Sequence, residues 1–146
     1  MILLSADWTT QSAIDDTCPV TALALSAKVG LTGMLLVVAA APTVTLTAPT
    51  HTPKINTRWY YTVRATQAGK PAAGRLTAQI VDPIGGSHPV QFGTSTKNIT
   101  NWPFRGRFRD FIIWPASSRG IPLRLRVVVK VGGAKRTVSY AVTPER

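Results

Sequence analysis

Arginines alternate with other residues in the segment FRGRFRDFIIWP, which covers residues 104–115 and ends in an apolar stretch. In an extended strand, Arg105, Arg107 and Arg109 would all point to one side. A row of guanidinium groups suits phosphates and carboxylates, so the spacing predicts either an anion-binding surface or the solvated side of a strand. Similar alternation elsewhere extends the candidate polyanion-binding set, which consists of Arg64, Arg105, Arg107, Arg109, Arg124, Arg126 and Lys130.

The net charge of +11 comes from the part of the chain after residue 40. Lys28 is the only cation of residues 1–40, so residues 41–146 hold 16 of the 17 Lys and Arg residues and three of the six acids. This excess predicts an anionic partner, which we expect to be a cell-wall polymer or another envelope protein. The pattern argues against nucleic acid, because it shows neither a recognition helix nor a platform of aromatic residues among the cations.

Residues suited to catalysis are few in the same part of the chain. No spacing pairs two carboxylates for glycosidase chemistry, and GGSHP, residues 85–89, lacks the Gly-x-Ser-x-Gly pattern of a nucleophile elbow. His51 and His88 would need Asp82 as a third strong ligand to hold copper or zinc. The sequence therefore predicts no enzyme, no metal site and no cofactor, with metal binding kept as an alternative.

Two Trp-Pro pairs, Trp102-Pro103 and Trp114-Pro115, flank the arginine-rich segment. Exposed tryptophans would stack on sugar rings, which makes a carbohydrate-binding module a second alternative. The preferred interpretation is that both tryptophans close the ends of a β-sandwich, with the prolines blocking edge pairing.

The first 40 residues are interpreted as a leader. Residues 29–41 form an uncharged run that matches the h-region of a secretion signal, and Val38 and Ala40 suit a peptidase cutting after Ala40. Membrane contact is expected only through this segment, either as a cleaved signal or as an uncleaved anchor, and burial as a cytosolic helix is the remaining alternative. Because residues 1–19 contain three Asp and no Lys or Arg, unlike the short basic n-region of a signal, the true start of translation is expected near Val20 or Leu25.

Alternating hydrophobicity after residue 42 predicts an all-β fold, a seven-stranded antiparallel immunoglobulin-like sandwich over residues 43–144, preceded by the apolar helix. The only cysteine, Cys18, lies outside this region, so no disulfide can staple it. The seven predicted strands are residues 43–49, 58–67, 74–82, 90–92, 104–114, 121–131 and 136–144.

The predicted strand 104–114 changes phase in its middle. Phe104 and Phe108 mark an inward face, but Asp110 then falls on that face while Phe111 falls on the arginine face. A β-bulge near residues 109–110 would restore the phase. In the immunoglobulin order this strand pairs with 58–67, which predicts Arg64, Arg105, Arg107 and Arg109 on one sheet, while the other sheet carries Arg75, Arg124, Arg126 and Lys130.

These segments also carry a family resemblance. HTPKINTRWYYTVRATQAGKPAAGRLTAQI, GRFRDFIIWP and PLRLRVVVKV resemble the immunoglobulin-like and fibronectin-III-like domains of exported bacterial proteins, and more narrowly a group of small secreted actinobacterial proteins. The resemblance spans roughly residues 43–144 and implies a fold and an extracytoplasmic location, without an activity. The expected function is therefore an exported, envelope-associated interaction module, with a purely structural accessory domain as the alternative.

Overall fold

The computed structural model describes residues 40–146, which are all-β apart from one 3-10 turn, Ala116–Ser118. The predicted all-β, antiparallel character is confirmed, whereas the predicted leader and its helix lie outside the described residues. The described part contains nine strand segments instead of the predicted seven: β1 Thr43–Thr47, β2 Arg58–Gln67, β3 Lys70–Pro71, β4 Ala73–Val81, β5 Ser87–Pro89, β6 Trp102–Arg105, β7 Arg107–Ile113, β8 Leu123–Val131 and β9 Ala134–Val142.

The strands form two antiparallel sheets. In the first sheet β2 lies between β1 and β7, and the short β3 pairs antiparallel with the C-terminal end of β2. In the second sheet the order is β5-β4-β8-β9, and β6 also pairs with β4. The predicted pairing of the arginine-rich strand with β2 is confirmed, as is the grouping of β8 with β4 and β9.

Alternating side chains of both sheets meet in a single core. From the first sheet, Trp59, Tyr61 and Val63 are buried, and from the second, Leu76 and Leu125 face them. Because the strands alternate inward apolar and outward polar residues, the core lies between the sheets and the cations lie outside it. Phe92 is 37% exposed at the margin of this core and stacks on Trp102 at a ring distance of 4.8 Å.

Turn residues set several of the strand ends. Gly132 and Gly133 both have positive φ, 52° and 85°, which only glycine adopts without strain and which a tight two-residue hairpin requires. The register Val131↔Ala134 places them between β8 and β9.

The predicted strand 104–114 is wrong in one respect, because Gly106 divides it. Gly106 has φ 66°, and at this residue the chain leaves β6 in the second sheet and enters β7 in the first. A side chain here would place its Cβ 2.7 Å from the Cβ of Pro71, so the crossing needs glycine. Arg105 and Arg107 consequently belong to different sheets.

The predicted bulge at residues 109–110 is also wrong. The register of β7 against β2 is continuous from Arg107 to Ile113, and Asp110 lies on the inner face opposite Tyr61. Asp110 is tolerated there because both of its carboxylate oxygens accept a hydrogen bond from the backbone N–H of Gly93, at 3.1 and 3.3 Å.

The region between β4 and β6 differs from the prediction as well. Ser87–Pro89 pairs with the end of β4, whereas residues 90–92 form no strand. Gln91 bridges to Asn98, and the Val90 N–H donates to the carbonyl of Ala78 at 3.1 Å. Within residues 40–146 the structure contains no helix with the length and apolar character needed to cross a bilayer.

Candidate polyanion-binding face

The outer surface of the first sheet carries arginines and aromatic residues in alternation. Arg58, Tyr60 and Arg64 of β2 point away from the core, as do Arg107, Arg109 and Phe111 of β7. These six residues are called the Arg–aromatic face below. The threonines of β1 that share its side, Thr43, Thr45 and Thr47, make the third strand of the face polar and uncharged.

Register brings like charges together on this face. Arg64 is directly opposite Arg107, and both are exposed. Side chains directly opposite each other in an antiparallel pair lie about 5 Å apart at Cβ, and like charges at such positions destabilise the sheet. A bound anion would relieve this repulsion, which makes the pair a feature suited to ligand binding.

Two guanidinium groups are held against aromatic rings. The Arg109 guanidinium lies 4.9 Å from the centroid of the Tyr60 ring, and the Arg58 guanidinium lies 4.9 Å from that of Phe111. The two rings are themselves 5.6 Å apart. Stacking restrains each guanidinium and leaves its in-plane N–H groups free, so both arginines present donors for an oxyanion.

Three open concavities adjoin one another along β7. The first, about 390 Å³, is lined by Arg64, Arg105 and Arg107, and the second, about 470 Å³, by Arg107, Arg109 and Tyr60. The third, about 450 Å³, is lined by Tyr60, Arg109 and Phe111. Because neighbouring concavities share residues, an extended chain-like ligand would meet them one after another, whereas a small compact ligand would fill only one.

Carboxylates are absent from this face in the described part of the chain. Of the three acids after residue 40, Asp110 is buried, Asp82 lies beyond the end of β4, and Glu145 pairs in the backbone with Lys54. Across residues 40–146, no Lys or Arg forms a salt bridge with a carboxylate, and the contact of this kind that does occur joins His88 Nε2 to Asp82 Oδ2 at 3.3 Å. The positive charge of the Arg–aromatic face is therefore not neutralised by neighbouring side chains.

The predicted set is only partly brought together. Arg64, Arg107 and Arg109 lie on the first sheet as predicted, whereas Arg105 belongs to β6 on the second and reaches the face only at the rim of the first concavity. The predicted location of Arg105 on the first sheet is wrong because the chain changes sheets at Gly106.

The remaining three predicted residues lie on the outer surface of the second sheet. Arg124 and Lys130 are exposed there, and Lys130 is directly opposite Lys135 of β9. Arg126 is half-buried and donates to Gln79 Oε1 at 2.8 Å and to Ser87 Oγ at 3.2 Å. Its guanidinium is thus used within the sheet. The second sheet has cations without aromatic partners, which distinguishes it from the Arg–aromatic face.

Sequence reasoning missed the aromatic members of the face. Phe111 falls in phase with the arginines, which the prediction attributes to a bulge, and the predicted site does not include Tyr60. An uninterrupted period of two from Arg107 to Ile113 would have placed Phe111 beside Arg109. The argument against nucleic acid also loses one of its supports, because aromatic side chains do stand among these cations.

The residues considered for sugar and metal binding make contacts within the fold. Trp114 is buried and packs edge-on against Trp59 at 5.6 Å, so its ring face is not offered to a sugar. His51 stacks on Tyr140 at 4.2 Å, and its Nδ1 lies 2.7 Å from the carbonyl of Ala141. Residues 40–146 contain no cluster of three or more His, Cys, Asp or Glu side chains placed to hold a metal ion.

The His88–Asp82 pair belongs to the loop that follows β4. Burial would raise the pKa of the Asp82 carboxyl, but hydrogen bonds from His88 and from the backbone N–H groups of Gly86 and Ile84 lower it on balance. The pair therefore holds a turn together, and nothing about it suggests acid–base chemistry.

Comparison with known proteins gives distant structural likenesses. No protein-family model matches the chain, and no curated protein matches its sequence. A DUF4466 family protein from Parabacteroides merdae is 12% identical with a TM-score of 0.41, over 72% of this chain and 44% of its own. The PKD domain of an M14-like peptidase from a Thermoplasmatales archaeon is 16% identical with a TM-score of 0.38, over 74% of this chain and 96% of its own. The chain thus spans less than half of the first of these proteins, and the description of the fold rests on the strand pairing given above.

Proposed function

We propose that this protein is an exported, non-enzymatic β-sandwich module that binds an anionic polymer of the cell envelope through its Arg–aromatic face. One observation carries the proposal: Arg64 and Arg107 stand directly opposite each other on a surface that has no carboxylate within the described residues. Arg58 and Arg109 extend the same surface with guanidinium groups held by aromatic rings. Export is supported by the signal-like run at residues 29–41.

The shape of the face favours a polymer over a single small anion. Arg107 and Phe111 are four residues apart in an extended strand, a distance of about 13 Å, and the adjoining concavities run along that length. A polymer with repeated phosphate groups would contact several guanidinium groups in succession. Each such contact releases a counterion, so the affinity must fall steeply with salt.

The test compares two double variants that remove the same charge. Arg64→Ala with Arg107→Ala removes the opposed pair on the first sheet, and Lys130→Ala with Lys135→Ala removes the opposed pair on the second sheet. Binding to poly(glycerol phosphate) is measured by titration calorimetry at several salt concentrations between about 50 and 200 mM.

We expect the Arg64/Arg107 variant to bind about tenfold more weakly at low salt. The slope of the logarithm of its binding constant against the logarithm of the salt concentration should be smaller by about two, one for each phosphate contact removed. The Lys130/Lys135 variant should keep the slope of the wild type. Equal weakening by both variants would show diffuse attraction and reject the face as the site. Tighter binding of single-stranded oligo(dT) than of the polymer, matched for charge, would replace the envelope polymer with nucleic acid.

A further inference from the structure

Strand β7 is an edge strand. Among the described residues it pairs with β2 on one side only, and no strand lies on its other side. The edge runs over Arg107–Ile113, without a proline and without a bulge. Edges of this kind are available for pairing with an additional strand.

The backbone groups that face this edge can be assigned from two hydrogen bonds. The carbonyl of Gly106 accepts from Ala65 N–H at 2.8 Å, and the carbonyl of Trp114 accepts from Asn56 N–H at 2.8 Å, so even-numbered residues face β2. In an antiparallel pair the direction alternates from one residue to the next. The N–H and C=O groups of the odd-numbered residues therefore point away from β2, namely those of Arg107, Arg109, Phe111 and Ile113. The Phe111 N–H already donates to the Asp110 carboxylate, so the N–H donors offered to an added strand next to the arginines are those of Arg107 and Arg109.

The other edges of the two sheets are better protected against pairing with an additional strand. At the β1–β9 side, Arg136 Nε donates to the carbonyl of Pro42 at 3.3 Å and Tyr140 OH donates to that of Ala48 at 3.2 Å. The edge strand β5 is only three residues long and ends in Pro89. Short strands and prolines are common protections of an edge, and β7 has neither.

Charge selects the strand that would pair here. The side chains of Arg107 and Arg109 stand over the edge on the outer surface, so residues opposite them in an added strand would lie about 5 Å away. Acidic residues at those positions would form ion pairs with the arginines. A second copy of β7 pairing antiparallel would bring arginines against arginines, so self-association at this edge is disfavoured.

We propose that the free edge of β7 binds an acidic, extended segment of a partner protein as an added β-strand. Acids at alternate positions of that segment would face Arg107 and Arg109, and the residues between them would point inward. A further concavity of about 270 Å³ is lined by Phe111 and Ile113 on one side and by Pro89 and Val90 on the other, and it would accommodate an apolar side chain at the end of the segment. This site goes beyond the polymer-binding function, since it uses backbone groups that a polyanion has no means to pair.

The test uses a synthetic peptide in which Asp and Val alternate, with a control peptide of the same composition in which the Asp residues are grouped together. Grouped acids cannot all face the arginines, because successive side chains of a strand point to opposite sides. The protein variants are Arg109→Ala and Arg109→Pro, which both remove the charge, whereas only the second removes the N–H that points to the edge. Affinities are measured by fluorescence anisotropy with labelled peptides.

We expect the alternating peptide to bind Arg109→Pro about tenfold more weakly than Arg109→Ala, since an edge hydrogen bond is lost and the added strand is interrupted. Poly(glycerol phosphate) should bind the two variants equally, because both lack the same charge. Equal binding of the peptide by both variants, or equal binding of the two peptides by the wild type, would overturn the strand-addition proposal and leave the polymer proposal untouched.

Amide hydrogen exchange of the wild-type protein provides a measurement that does not depend on how well the proline variant folds. The alternating peptide should slow exchange at Arg107 and Arg109 at least about tenfold. Phe108 and Ile112, whose N–H groups face β2, serve as internal references and should change little. Unchanged exchange at these two edge amides with bound peptide would also overturn the proposal.

Discussion

Asp110 is the residue whose surroundings depart most from what its chemistry favours. It is 6% exposed on the inner face of β7, and the buried hydroxyl of Tyr61 on β2 has no hydrogen-bond partner. Burial raises the pKa of the Asp110 carboxyl above its ordinary value, although hydrogen bonds from the backbone of Phe111 and Gly93 oppose the change. Burial and the nearby Asp110 charge likewise raise the pKa of Tyr61.

The sign of the resulting pH dependence follows from linkage. Because the native state holds the Asp110 proton more tightly than the unfolded chain does, this residue makes the free energy of unfolding fall as pH rises above about 4 and through the native pKa. Asp110→Asn retains an oxygen acceptor for Gly93 N–H and cannot ionise. The variant should therefore match the wild type near pH 4 and be more stable at pH 7.

Urea unfolding of both proteins between pH 3.5 and 7.5 measures this difference directly. Subtracting the free energy of unfolding of the wild type from that of the variant removes the opposite contribution of Asp82, which both proteins share. The lowered pKa of Asp82 makes the free energy of unfolding fall as pH falls. A constant difference across the whole range would contradict the assignment of a raised pKa to Asp110.

At the scale of elements, the crossing at Gly106 decides which arginines share a surface. Gly106→Ala would force a residue with a side chain to φ 66° and would bring its Cβ 2.7 Å from the Cβ of Pro71. Gly69→Ala is the matched control, because Gly69 has φ 73° with no atom within 4 Å of the added Cβ.

Both substitutions carry the cost of a left-handed conformation, about 1 kcal/mol, and only Gly106→Ala adds the clash. Thermal and denaturant unfolding should show Gly106→Ala losing about 1–3 kcal/mol more than Gly69→Ala. Equal losses would show that β3 moves away freely and that the crossing does not depend on close contact with Pro71.

Most of the strands were predictable because their side chains alternate without interruption. The prediction for β2 matches residue for residue, those for β4 and β9 are shifted by one and two residues, and that for β8 starts two residues too early. The break at Gly106 was not predictable from periodicity, since residues 104 and 108 are in phase on both sides of it. Neither the positive φ of Gly106 nor the change of sheet alters the alternation of apolar residues in the sequence.

The sequence identified the cations of the candidate site, but not which of them lie next to each other in the structure. Alternation identified Arg64, Arg107 and Arg109, but the order of the strands decides which cations are neighbours. The stacking of Arg58 on Phe111 and of Arg109 on Tyr60 depends on diagonal contacts between β2 and β7, which a single sequence does not specify.

At the scale of the whole molecule, positive charge covers the outer surfaces of both sheets, and the two surfaces differ in their chemistry. The first carries stacked guanidinium groups and opposed arginines, and the second carries Arg124 and Lys130 together with the internally bonded Arg126. Long-range attraction to a polyanion would come from the whole molecule, whereas the position of the bound polymer would come from the Arg–aromatic face.

The proposed location outside the cytoplasm is tested by fractionating cells and determining the N-terminus of the native protein. Because the signal-like run is expected to be cut after Ala40, we expect a chain that begins at Ala41 in the medium or the envelope fraction. An uncut chain in the membrane fraction would indicate an anchor. A full-length cytosolic chain would contradict export.

The unprotected edge of β7 has a consequence for solubility. Arginines are the main barrier that keeps the edges of two molecules apart, and a polymer that neutralises them removes that barrier. Molecules crowded along one polymer chain would then be free to join edge to edge, and the mixture would condense most readily where the charges of protein and polymer balance. An excess of either component would restore net charge and dissolve the condensate, so the protein would act as a cross-linker only within a narrow range of stoichiometry.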